Sequence, residues 1–235
     1  MKSILYTVAF LLLSQIGFTQ TTTSYTSFTF PVTTKSRSMG GGSVTHNTGG
    51  VVTSITGSPY LNEYFLKGRI ELSDGEVLEG VQIRYNVHED IMEIDNDGEI
   101  LGINKPDKIR KVMFNDRTYI YNPYLTGKDV EKNGYFEVLI EGPMTLYCKR
   151  TNKLEMKALN SNFGKSGMGA SYFDMQKYFF VQTQNEEVFP LTKKKLLEYA
   201  GSSKSEIKKY IKKRKIRFSE ERDLIGLIKF YNKSI

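Results

Sequence analysis

Ser73-Asp74-Gly75-Glu76-Val77-Leu78-Glu79-Gly80 recurs almost unchanged at Asn96-Asp97-Gly98-Glu99-Ile100-Leu101-Gly102, with a shorter echo at Asn115-Asp116-Arg117-Thr118-Tyr119. Asp or Asn followed by Gly supplies the positive φ that a tight hairpin turn needs, because glycine has no Cβ to clash. Apolar residues alternate on both sides of each turn. Ile70 and Leu72 precede the first, and Val81, Ile83 and Tyr85 follow it. Met92 and Ile94 precede the second, Leu101 and Ile103 follow it, and Val112 and Phe114 lead into the third. A period of two marks strands with one buried face. The region reads as an antiparallel meander that closes on itself as a barrel or stacks on a second sheet as a sandwich.

Working outward, strands are expected near 65–72, 77–85, 90–95, 99–104, 108–114, 117–121, 134–141, 144–151 and 177–183, with a short one at 186–189. Loops are expected at Asn122-Pro123, at Lys132-Asn133-Gly134 and over 160–171. The β domain so defined spans 59–190. Most of its strands are short and carry charge near their centres, which argues against an outer-membrane barrel with its lipid-facing apolar set.

After Pro190 the period changes. Thr192 is placed to cap a short helix, Ser203 and Glu206 have capping-box spacing, and Ser219 precedes a third amphipathic segment. The fold class is therefore α+β and mainly β, with a three-helix subdomain over 191–235. That segment carries the basic character. It holds 14 Lys and Arg against 5 Asp and Glu, while the whole chain has a net charge of +7. The middle helix presents Lys204, Lys208, Lys209, Lys212 and Lys213, continued by Arg214, Lys215 and Arg217. Such a face suits an anionic partner: an envelope protein, an acidic glycan or an anionic membrane surface. Nucleic acid is not expected, because the N-terminus marks the chain for export and few aromatics interleave with the lysines.

That N-terminus has the layout of a secretory signal peptide over 1–19: Lys2, an apolar run, then small and polar residues. Cleavage before Gln20 would leave a periplasmic or secreted protein, associated with the envelope and without a transmembrane span. No cysteine stands at the cut for a lipid anchor. The single cysteine, Cys148, rules out an internal disulfide and reads as a buried small hydrophobe. Residues 20–58, rich in Thr, Ser and Gly, read as a flexible tether from which Phe28, Phe30, Val51 or Val52 could dock as an added strand.

The catalytic and metal motifs are fragmentary. Asp95-Asn96-Asp97-Gly98-Glu99 looks like part of a calcium loop, but the twelfth position is Pro106 where a bidentate Glu is needed. Gly164-Lys165-Ser166 resembles the end of a phosphate loop, but Leu159 stands where the first Gly is required. His46 is alone. Glu89, Asp90, Glu93 and Asp95, beside His88, could supply paired carboxylates to a hydrolase of an envelope polymer. No cofactor or metal is expected, and a non-enzymatic binding or structural role comes first. A carrier holding a small hydrophobic ligand in the β domain, and the hydrolase, are the alternatives.

Gly57-Ser58-Pro59-Tyr60-Leu61, Asp74-Gly75 through Arg84-Tyr85-Asn86, Tyr121-Asn122-Pro123-Tyr124-Leu125, and Leu191-Thr192-Lys193-Lys194-Lys195-Leu196-Leu197 through Asp223-Leu224-Ile225 to Tyr231-Asn232 together resemble a group of exported proteins of Bacteroidota. The resemblance runs from about residue 57 to the end. It implies a periplasmic or secreted location in a Gram-negative envelope and no particular activity. The first hairpin is also similar to Sm-like and SH3-like small barrels, and no functional residue is carried over from them.

Overall fold

In the computed structural model two short strands from the Thr- and Ser-rich stretch come first, β1 (Val32–Thr34) and β2 (Val52–Thr56). The hairpin strands follow: β3 (Leu66–Leu72), β4 (Val77–Asn86), β5 (Ile91–Asn96), β6 (Glu99–Ile103), β7 (Ile109–Phe114) and β8 (Arg117–Leu125). Next are β9 (Glu131–Ile140), β10 (Thr145–Thr151), β11 (Leu154–Leu159), β12 (Gly167–Tyr172), β13 (Gln176–Gln182) and β14 (Val188–Pro190). Helices α1 (Lys193–Tyr199), α2 (Lys204–Arg214) and α3 (Glu221–Ser234) end the chain. The structure describes residues 32–34, 52–103, 106–126, 130–159, 167–173, 175–183 and 188–234, all within the unit Pro31–Ile235. The signal segment, most of the tether with His46, Phe28, Phe30 and Val51, and Gly164-Lys165-Ser166 lie outside the described residues.

All three quoted turns are hairpins. Asp97 (φ 52°) and Gly98 (φ 92°) both sit in the left-handed region between β5 and β6. Asn115 (φ 52°) and Asp116 (φ 56°) do the same between β7 and β8 without a glycine, which Asn and Asp tolerate best among residues with a Cβ. The first turn is one residue longer, with Gly75 at φ 94° and Glu76 N donating to Asp74 Oδ1 at 3.0 Å.

The strands form an eleven-stranded sheet in the order β1-β6-β5-β4-β3-β7-β8-β9-β10-β13-β14, and β11-β12-β2 form a second sheet. The mainly β meander followed by helices is as expected. Its order is open among the described residues, with β1 and β14 at opposite edges, so the meander does not close as a barrel. β7 returns to pair with β3 after a 3-10 turn at Pro106–Lys108.

Three expected loops need correction. Asn122-Pro123 and Lys132-Asn133-Gly134 are the two arms of one long hairpin, in which Pro123 faces Asn133. β7 pairs with β8 only as far as Tyr119, so Pro123 lies where β8 has lost that neighbour and its missing N–H costs no ladder bond there. Within 160–171, the residues from Gly167 onward form β12 and pair antiparallel with β11. Gly167 and Gly169 hid this strand from a propensity reading. β2 then adds to β12 in parallel, and β1 adds to β6.

The helices share one core with the sheet. Leu146, Cys148, Phe179, Val181 and Phe189 pack against Leu196, Ile207, Ile211, Leu224, Leu227 and Ile228. On the opposite face of the same strands Phe136, Tyr147, Phe180 and Val188 form a smaller cluster with Tyr124 and Val138. Asn232 docks α3 onto the β9–β10 turn by a reciprocal pair of hydrogen bonds. Its Oδ1 accepts from Met144 N and its Nδ2 donates to Met144 O, both at 2.9 Å. Thr192 caps α1 as expected, accepting from Lys195 N at 3.2 Å. Ser203 does not close the capping box; its hydroxyl donates to Ser234 O at 2.6 Å, because α3 ends beside it. Helix α3 starts at Glu221, two residues after Ser219.

Candidate functional site

Two features offer themselves for binding: the basic side of α2 and a cavity at the end of β14. Helix α2 is held by its apolar side. Ile207 and Ile211 are buried, and Tyr210 stacks on Phe230 at 4.1 Å between ring centroids. That fixes which way the rest of the helix points. Lys204, Lys208, Lys209, Lys212, Lys213, Arg214, Lys215 and Arg217 are all exposed. All eight lie on one helix and the turn that follows it. Lys215 takes φ 50° at the C-cap, and Ile216 N donates to Ile211 O at 3.1 Å, which turns the chain sharply and keeps the cations of the last turn near the negative end of the helix dipole. Arg217 is engaged: its Nε lies 3.2 Å from Asp223 Oδ2 and its Nη1 4.0 Å from Glu220. Its backbone N–H also donates to Asp223, and this bond comes first in holding the Asp223 carboxyl below its ordinary pKa. The other seven form no ion pair among the described residues.

The cavity has a volume of about 560 Å³. It lies where β14 leaves the sheet. β14 pairs with β13 only over Phe180–Gln182, and Leu191 N donating to Phe179 O at 2.8 Å is the last rung. Tyr124, Tyr178, Phe180, Leu191 and Phe218 are among its lining residues. Lys149 and Lys177 are the charged side chains in the wall. Lys149 is 5% exposed, and its Nζ is 2.5 Å from Asp90 Oδ2 and 3.0 Å from Tyr135 O. Burial lowers its pKa, and the Asp90 carboxylate opposes that shift. Lys177 Nζ is 2.7 Å from Glu221 Oε2. Sequence reasoning did not find this site. Its one signal was Tyr178-Phe179-Phe180, three rings in a row, which put aromatic surface on both faces of β13.

The acidic cluster is dispersed into separate tasks. Asp90 sits at φ 58° after β4, accepts from Tyr85 Oη at 2.5 Å and holds Lys149. Glu93 faces the other way along the strand pair, with Oε2 2.5 Å from Arg84 Nη2, and Arg84 is stacked 3.7 Å above the Tyr60 ring. Asp95 accepts from Gly98 N at 2.7 Å and so serves the hairpin turn that looked like a calcium loop. His88 is exposed with its ring edge-on to Tyr172. Among the described residues no three His, Cys, Asp or Glu side chains converge as a metal site would require. Cys148 is buried, and burial pushes its thiol pKa up to about 11.

No family model matches this chain, and no curated protein or solved structure matches it either. No helix among the described residues is long and apolar enough to cross a membrane.

Proposed function

We propose that the chain is a non-enzymatic binding protein of the cell envelope that holds an anionic partner on the basic side of α2. The observation that carries this reading is the exposure of seven cationic side chains, Lys204 to Lys215, without an ion pair among the described residues. The apolar side of the same helix is already used in the core. The face can therefore offer charge and little apolar surface, so its contacts are electrostatic and salt-sensitive. The export signal read in the sequence supplies the envelope setting.

The test replaces Lys208, Lys209, Lys212 and Lys213 together by Glu. Retention of the parent and the variant is compared on an acidic polysaccharide matrix, on anionic vesicles and in pull-downs from envelope fractions, at low and high salt. The parent is expected to bind one of these and lose it as salt rises, and the variant not to bind. Lys212 and Lys213 lie in the last turn, where anions meet the negative end of the helix dipole, so the variant should lose up to about 2 kcal/mol of stability, and far-UV dichroism checks that it still folds. Equal binding by both proteins would remove the basic face from the account.

A further inference from the structure

We propose that two copies of this chain pair through β11, edge to edge and antiparallel, about a two-fold axis at Met156. Four strand edges are open among the described residues: β1 and β14 on the large sheet, and β11 and β2 on the small one. An open edge is a template for another strand, and proteins blunt it with short strands, prolines, bulges or charge. β1 and β14 have three residues each, and β14 ends in Pro190. β2 has five residues and meets β12 across a register shift. β11 is six residues long and holds neither Gly nor Pro. It runs against β12 from Leu154 opposite Tyr172 to Leu159 opposite Gly167 without a shift. The guard it carries is charge, Glu155 and Lys157, and that charge fits a second copy.

The fit lies in the order Leu154-Glu155-Met156-Lys157-Ala158, where opposite charges flank Met156. A two-fold contact sets the same surface against itself, so each residue i that faces j is matched by a j that faces i. Parallel pairing in register would put Glu155 on the partner's Glu155 and Lys157 on the partner's Lys157. Antiparallel pairing centred on either of those residues would put like charges together at the axis. Centred on Met156, it sets Glu155 of each copy opposite the partner's Lys157 and Leu154 opposite the partner's Ala158. Opposite charges directly across a strand pair stabilise it, and like charges destabilise it. Met156 is 40% exposed, whereas Ala170, which faces it on β12, is buried. Apolar cover on that face therefore stops at the edge strand, and a second β11 would extend it. Glu155 lies 3.0 Å from Lys153, an exposed pair that is worth little and is readily shared with the partner's Lys157.

Sedimentation equilibrium of the purified protein at rising concentration tests the pairing. The parent is expected to dimerise. Glu155→Lys sets lysine against lysine and Lys157→Glu sets glutamate against glutamate, and each variant is expected to dimerise about tenfold more weakly or worse. An equal mixture of the two variants restores both opposite-charge pairs, and so does the double exchange within one chain. Both are expected to regain the parent's dimer, which a mere loss of folding could not produce. Far-UV dichroism checks each variant. The α2 charge-reversal variant should dimerise like the parent. The proposal is overturned by a parent that stays monomeric, by single variants that dimerise like the parent, or by a mixture that stays monomeric. Loss of the dimer in the α2 variant would overturn it too, by moving the contact between copies to the basic face.

Discussion

The two ends of the large sheet are held by different forces. At the β9–β14 end the helices bury aliphatic side chains against the strands, with Leu196, Ile207, Leu224, Leu227 and Ile228 all fully covered. Toward β3–β8 buried aliphatic residues such as Ile70, Ile83 and Val112 are joined by a group of packed rings. Tyr85 meets Tyr119 at 5.7 Å and Tyr135 at 5.9 Å, Tyr121 meets Tyr135 at 5.0 Å, and Phe114 stacks on Tyr119 at 5.1 Å. The hydroxyls of Tyr119 and Tyr135 are buried with no hydrogen-bond partner among the described residues. Between the two ends run buried charges: Lys149 on Asp90, and Glu137 between Arg117 and Arg150. An aliphatic core asks only for volume and shape. A tyrosine interior seamed with ion pairs also asks that every proton be in place.

The largest effect should therefore come from pH. Burial raises the phenol pKa of Tyr85, Tyr119 and Tyr135 far above the ordinary value, with the Asp90 charge adding to the first and third and the Glu137 charge to the second. Tyr147, less buried, is pushed up to about 12. A raised pKa means that the folded state keeps the proton longer than the unfolded chain does. The stability it contributes is complete below the unfolded value of about 10 and is lost as pH rises above it, by up to about 1.4 kcal/mol per tyrosine per pH unit. Three such residues exhaust an ordinary domain stability of about 5–15 kcal/mol within a few pH units. Tyrosinate absorbance and far-UV dichroism recorded together above pH 10 should show the buried phenols ionising in the same step as unfolding. Ionisation of these tyrosines with the fold retained would mean that their interior is wet and that the two ends differ little.

The next effect sharpens the seam. Glu137 is 6% exposed and accepts from Arg150 Nε at 2.8 Å, from Arg150 Nη2, and from Arg117 Nη1 at 3.1 Å. Removing its charge leaves Arg150, itself buried, without its main counter-ion. Glu137→Gln should cost about 3–5 kcal/mol in denaturant unfolding. Glu141→Gln, which removes the exposed partner of Lys111, should cost about 1 kcal/mol or less. Equal costs would show that the seam is held by packing and not by charge.

What the residues announced in advance follows the same division. Period-two alternation placed β3–β7 because their inner residues are aliphatic or aromatic and their outer ones polar, and period 3.6 placed the helices for the same reason. The exposed lysines of α2 were legible because nothing had to be known but the buried side of one helix. The cavity was not legible, since it needs β8, β10, β13 and the α2–α3 connector brought together from residues nearly a hundred positions apart. Nor were the buried charges: Lys149 and Arg150 are adjacent on β10, point to opposite faces, and are both covered. Only tertiary partners, Asp90 for one and Glu137 for the other, make that placement tolerable. The expected loop at Lys132-Asn133-Gly134 failed for a related reason. Gly134 looked like turn chemistry, whereas its use is to leave space inside a strand.

That space provides the smallest and most local test. A Cβ on Gly134 would stand 2.6 Å from Lys149 Nζ and closer still to Asp90 Oδ2, so the ion pair occupies the volume a side chain would take. Gly134→Ala must therefore push the pair apart or shift β9, and overpacking of this kind costs about 1–3 kcal/mol. The backbone at Gly134 has no left-handed φ, so an alanine there meets crowding and not torsional strain. A double-mutant cycle separates the pair from the strand. Asp90→Gly suits the positive φ of that position and removes the carboxylate, freeing Lys149 Nζ to move. If the ion pair is what fills the space, Gly134→Ala should cost about 1 kcal/mol less in the Asp90→Gly background than in the parent. The same cost in both backgrounds would place the conflict in the β9 backbone. The polar seam would then have no claim on the glycine, and the two ends of the sheet would be joined by packing alone at this point.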